Sequence, residues 1–183
     1  MASFEAQYVT MTTDTKQKTS ERTDLIETLT KHRSFLRQTV TGLSDEQAAL
    51  RTTTSELCLG GLIKHVTLVE QSWVDFIERG PEAKGSADQA AVESHLASFR
   101  MSGGESLASL LGAYQRVASR TDTLVSALPS LDASHPLPEA PWFESGARWS
   151  ARRVLLHIIA ETAQHAGHAD IIREALDGAK TMG

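Results

Sequence analysis

Three residues carry the strongest chemical signal in this 183-residue chain: Glu161 and His165 on one segment, and His65 on another. Glu161 and His165 are four positions apart, so on a helix they share one face a turn apart, with Cβ atoms roughly 5–6 Å from each other. That spacing lets a carboxylate oxygen and an imidazole nitrogen converge on a single ion at roughly 2.0–2.2 Å each. The same stripe is otherwise apolar, reading Val154, Ile158, Ile172 and Leu176 (or Ala175), with His168 as the other polar member. An unpaired carboxylate in the core of a bundle is costly, so something must compensate it. His65 lies beside Leu62 and Val69 on a second apolar stripe. The three together form a two-histidine, one-carboxylate set with a fourth position open, the feature that separates catalytic from closed structural zinc sites. Two blander readings stand beside it: His65 as a satisfied core histidine, and Glu161 as the ion-pair partner of Arg152, Arg153 or Lys64.

The elements that must position these residues are helices. Leu25, Leu29, His32, Leu36, Val40 and Leu43 recur at spacings of four and three and predict a first helix from about Thr23. His32 is expected to face inward there. Ser44 followed by Gln47 has the form of a capping box. The second helix is expected from Leu59 to Glu78, stopped by Gly80-Pro81, with Trp73 packing in the bundle. A long connection of Gly, Ser, Ala and Asp follows, with one weak helical patch from Asp88 to Phe99; His95 on it is given no role. Leu107, Leu111, Tyr114, Val117, Thr121, Leu124 and Leu128 then predict a third helix, from about Glu105 to Leu128. Pro136, Pro138 and Pro141 mark Ser130–Trp149 as a loop, neither helix nor strand, and a candidate lid. Ser150 is the expected N-cap of the last helix and Gly178 its C-terminal stop.

No run alternates with period two long enough for a convincing strand, so the expected class is all-α, a four-helix bundle. The expected organisation is a flexible leader over residues 1–22 and a single domain over 23–183. The core is large enough to need no disulfide. Eighteen basic against 23 acidic residues give a net charge of -5, which disfavours nucleic acid as a partner, because phosphate contacts need clustered Lys and Arg. The single cysteine, Cys58, excludes a disulfide framework. It sits near a helix N-terminus, where a thiol pKa can fall, but no partner base is evident. No apolar run approaches the roughly 20 residues of a membrane span, and no secretory signal is visible, so a cytoplasmic protein with no membrane partner is expected.

The segments LIKHVTLVEQSW (62–73) and RVLLHIIAETAQHAGHADIIRE (153–174) resemble the DinB-like superfamily, and more narrowly its actinobacterial mycothiol-transferase branch. The segment FRMSGGESLASLLGAY (99–114) is similar to that branch's third-helix entry. The resemblance runs from about Leu25 to Gly178. It implies a four-helix bundle holding a divalent metal through a histidine of the second helix and two residues one turn apart on the last. Many members use two histidines there; Glu161 stands in the first place, as in the mycothiol-dependent branch. Zinc is the expected ion, and a carboxylate ligand also admits nickel, manganese or iron.

Further roles follow as expectations. His168, one turn past His165, is a fourth ligand, a hydrogen-bond partner of a ligand, or a substrate contact. Asp170 either orients a ligand imidazole or binds a substrate amine, and otherwise is a solvated carboxylate. His157, one turn before Glu161, either flanks the site or packs at the helix edge, and the second is expected. The implied activity is transfer of a low-molecular-weight thiol such as mycothiol to an electrophilic small molecule, or thiol-dependent isomerisation. The alternatives are metal-dependent hydrolysis and a non-catalytic metal- or thiol-binding bundle. A homodimer is an expected assembly.

Overall fold

The computed structural model describes residues 20–85 and 88–181. Helix α1 spans Glu21–Gln38, and the Ser20 side chain caps it by accepting from the Thr23 N–H. The expected leader therefore splits. Residues 1–19 lie outside the described residues, whereas 20–22 open the helix, and Arg22 Nη1 donates to the carbonyls of Val125 (2.7 Å) and Ser126 (2.9 Å). Helix α2 (Asp45–Ala49) opens on the Ser44–Gln47 capping box. Helix α3 runs Leu59–Arg79 and ends at Gly80, where a 3-10 turn (Gly80–Lys84) takes over. The weak patch is a real helix, α4 (Gln89–Ser98), capped by Asp88. Helix α5 is Leu107–Ala127, with its own capping box from Ser106 to Ser109. Helix α6, Ala151–Asp177, starts on Ser150 and ends at Gly178 in the left-handed conformation that glycine tolerates best.

The four long helices close into a ring in which α1 packs on α6, α6 on α3, α3 on α5, and α5 on α1. The chain is thus an all-α bundle of four principal helices. Among the described residues, no helix is long and apolar enough to cross a membrane.

The Pro-rich segment departs from the loop expected of it. Ser134–Pro136 (β1) and Arg148–Ser150 (β2) pair antiparallel, Ser134 with Ser150, His135 with Trp149 and Pro136 with Arg148. Strands this short show no period in the sequence, and Pro136 sits at the strand end, where a missing N–H is tolerated. The hairpin docks on the end of α3: His135 Nε2 lies 3.2 Å from the Ile77 carbonyl oxygen.

Two apolar clusters make the core. One gathers Leu36, Leu62, Val66, Tyr114 and Ile172; the other Leu29, Trp73, Val74, Val125 and Ile158. Along each helix a buried polar residue falls between them: Arg33 on α1, Glu70 on α3, Thr121 on α5 and Thr162 on α6. Glu70, fully buried, is bonded by Arg33 through both Nε and Nη2 and accepts from Thr121 Oγ1 at 2.6 Å. Arg33 Nη1 also reaches Asp122 at 2.9 Å. The inward position expected of His32 thus falls one residue later: His32 is half-buried beside Phe35, and Arg33 is the buried residue.

Candidate metal centre

His65 enters the site from the middle of α3. Its Nδ1 lies 2.8 Å from Ser98 Oγ at the end of α4, and the Ser98 hydroxyl itself donates to the His95 carbonyl. A hydroxyl carries one proton, so His65 Nδ1–H is the donor to Ser98 and Nε2 keeps the lone pair. Phe99 stacks on the imidazole at 3.8 Å between centroids, with 20° between the planes. This roof depends on a gap in α3. A Cβ on Gly61 would lie 1.9 Å from the Phe99 carbonyl oxygen, so only glycine lets the chain between α4 and α5 come so close.

Helix α6 supplies the other two groups. Glu161 and His165 project from successive turns, with His165 Nε2 3.6 Å from Glu161 Oε2. Ligand atoms of His65, Glu161 and His165 all lie within 4.8 Å of one another. The 3.6 Å separation is close to the roughly 3.3 Å kept by two donors around a tetrahedral ion at ~2.0–2.1 Å. His65 and His165 are buried, and Glu161 sits at the cleft wall with its side chain 27% exposed. Burial, reinforced by His165 and His95, pushes His65 down to about 4. The adjacent His165 ring, helped by His157 and His65, holds the Glu161 carboxyl below its usual range against the opposing effect of burial. At neutral pH the site therefore presents a carboxylate and an unprotonated His65, which is what a cation requires of its ligands.

The ion-pair reading of Glu161 fails. Arg152 binds Glu21 and Asp132, Arg153 lies over the Trp149 ring, and Lys64 pairs with Glu105 at 2.9 Å. Among the described residues Glu161 has only histidines, His165 and His157, in ion-pair reach.

The remaining candidates separate by distance. His168 Nδ1 sits 3.3 Å from His165 Nδ1, on the side of that ring away from Glu161. Asp170 turns elsewhere, its Oδ1 accepting from both the N–H and the hydroxyl of Thr181 at 2.7 Å. His157 is more than an edge residue: it lines the cleft between Trp73 and Trp149, with Nε2 3.8 Å from Glu161 Oε1. Trp73 does pack as expected, stacked on Trp149 at 4.8 Å. Cys58 is buried at the α3 N-terminus, its thiol directed at the Phe99 carbonyl 3.7 Å away.

Sequence reasoning missed the α4 wall. His95, set aside as a residue of a weak helix, has its ring 5.2 Å from His65 and lines the cleft with Ser98. Ser98 carried a faint signal, as the last residue of the weak patch before an aromatic. The cleft measures about 530 Å³, and Ser72, Lys84 and His95 are part of its lining.

Comparison with known proteins now bears on this geometry. The sequence pattern of the family described as mycothiol-S-transferase matches residues 24–178. The chain belongs to that family, a DinB-like one. The matched range takes in His65, Glu161 and His165 together with the whole α4 wall. Among solved structures, one described as a conserved protein from Enterococcus faecalis is similar at 12% identity, with a TM-score of 0.61 over 88% of this chain and 99% of that one. At that identity the likeness concerns the fold alone. No curated protein matches the sequence.

Proposed function

We propose that the chain is a metal-dependent transferase that activates mycothiol, or a small thiol of that kind, for attack on an electrophilic small molecule. The observation that most supports this reading is the convergence of His65, Glu161 and His165 on an open cleft, in a member of the mycothiol-S-transferase family. The donor set suits zinc, and its carboxylate makes nickel, manganese or iron acceptable as well. A divalent cation bound there supplies the positive charge that lowers a thiol's pKa towards neutrality.

The chain's own groups do the rest. His65 offers Nε2, because Ser98 holds the proton on its Nδ1. His165 faces Glu161 with Nε2; with that nitrogen kept for the ion, its proton sits on Nδ1, 3.3 Å from His168 Nδ1, a contact that fixes the ring. Phe99, Trp73 and His157 narrow the water around the sulfur. The thiol proton passes to water at the cleft mouth. The sulfur lone pair forms the bond to the electrophilic carbon, and the leaving group departs with the electrons of the bond that breaks. Where the electrophile is a double bond, no group leaves and the adjacent carbon takes up a proton from water. The chain needs no cysteine of its own in this chemistry.

The test is elemental analysis of protein purified without chelator, followed by turnover of 1-chloro-2,4-dinitrobenzene with and without mycothiol. A stoichiometric divalent ion, lost in His65→Ala and Glu161→Ala, together with thiol-dependent turnover, is the expected result. Full metal occupancy in both variants, or equal turnover without thiol, overturns the proposal.

A further inference from the structure

The cleft continues beyond the metal centre. Ser72, Trp73, Lys84 and His95 line it and also bound a second chamber of about 550 Å³. Trp142 and Phe143, from the segment between β1 and β2, close the far side of that chamber, and Val92 of α4 completes an apolar wall. Trp142 is 65% exposed, an unusual position for a tryptophan. Its ring starts an aromatic series: Phe143 lies 6.2 Å away, Trp149 5.9 Å beyond that, and Trp73 stacks on Trp149. The series leads from solvent to the metal cleft.

One cation sits where the two spaces meet. Lys84 Nζ lies 3.2 Å from the centre of the Trp73 ring and donates to Ser72 Oγ at 3.0 Å. Among the described residues no carboxylate comes within ion-pair reach of it. Asp75 acts on it from a distance, but that carboxylate is taken by Arg79 (3.0 Å) and Arg120 (2.6 Å). The other titratable groups around the two spaces are Glu139, His65, His95, His157 and Glu161. Burial pulls the lysine down to about 7, the state of an ammonium that lacks its counter-ion. A half-buried ammonium over an aromatic face, beside a chamber with an apolar wall, fits a ligand that brings an anion and a flat apolar body together.

We infer that this chamber receives the electrophile, and that the electrophile is a planar, apolar molecule carrying a carboxylate that pairs with Lys84. The inference rests on the thiol-transfer reading, because it places the electrophile next to the ions' ligands rather than at a separate site.

The test uses the full chain stripped of metal with chelator, so that no cation competes for the acid. Naphthalene-2-carboxylate and its neutral amide are titrated against tryptophan fluorescence and by calorimetry. The acid is expected to bind about tenfold more tightly than the amide, the scale of one charge-assisted hydrogen bond. Lys84→Gln removes that preference, Lys84→Arg keeps it, and Trp142→Ala weakens both ligands alike. Circular dichroism melting confirms that each variant is folded. Equal binding of acid and amide by the wild type overturns the inference, as does a preference that survives Lys84→Gln. Lys84-dependent acid binding without thiol-dependent turnover of the metal-loaded protein would retire the transferase reading alone. Turnover without that acid preference would retire the chamber alone.

Discussion

Two carboxylates on the inner faces of this bundle have opposite surroundings. Glu70 is sealed between the apolar clusters and bonded by Arg33 and Thr121, so its charge is matched from within the chain. Glu161 stands at the wall of a cleft with two histidines in reach and, among the described residues, no lysine or arginine. A buried charge that the fold neutralises is part of the scaffold. One held ionised, facing a cavity and lacking a cation, points to a ligand from outside. The same residue type, on the packed helices α3 and α6, serves the fold in one place and is the proposed ion ligand in the other.

The contrast can be broken at the scaffold end first. Arg33→Met leaves Glu70 buried without its partner and should cost about 3–5 kcal/mol in urea unfolding, whereas adding Glu70→Leu should recover most of the loss. At the cleft end, Glu161→Gln should behave the other way. Stability without metal should change by less than about 1 kcal/mol, because the group is only partly buried, while metal affinity falls by more than about 100-fold in competition with a chromophoric chelator. Ser98→Ala removes the bond that fixes the His65 proton and should lower metal affinity by about 10–100-fold with the ligands intact.

The gentlest probe is pH. Burial holds His65 down to about 4 in the folded chain, against an ordinary 6.5. Between those values the unfolded chain binds the extra proton, so stability is complete above about pH 6.5 and falls as the pH drops toward 4. Urea denaturation of metal-free protein should show a slope of at most about 1.4 kcal/mol per pH unit from this residue. That contribution should vanish in His65→Gln.

Much of this was legible in the sequence, and the reasons differ by residue. Ser44 with Gln47, Gly80, Ser150 and Gly178 mark helix ends through local hydrogen bonding, which a short window of sequence contains. His65, Glu161 and His165 could be found because they interrupt apolar stripes. Arg33 was hidden by phase: a buried arginine next to a plausible inward histidine is explained only by Glu70, which lies 37 positions away. Helix α4 has little amphipathic pattern, so nothing local announced that His95 and Ser98 would face the site. Their placement comes from the close passage of Phe99 over Gly61. The β1–β2 hairpin escaped notice because three-residue strands leave no alternation to read.

Cys58 carries a last consequence. A catalyst that hands alkylating agents to a partner thiol is exposed to them at every turnover, and the softest nucleophile it owns is the first to be poisoned. Here the chain's one sulfhydryl is 3% exposed and turned toward a backbone carbonyl. Iodoacetamide should leave the native protein unlabelled and label it only after unfolding. On the proposed thiol-transfer reading, the small thiol meets the electrophile and the protein's own sulfur is spared.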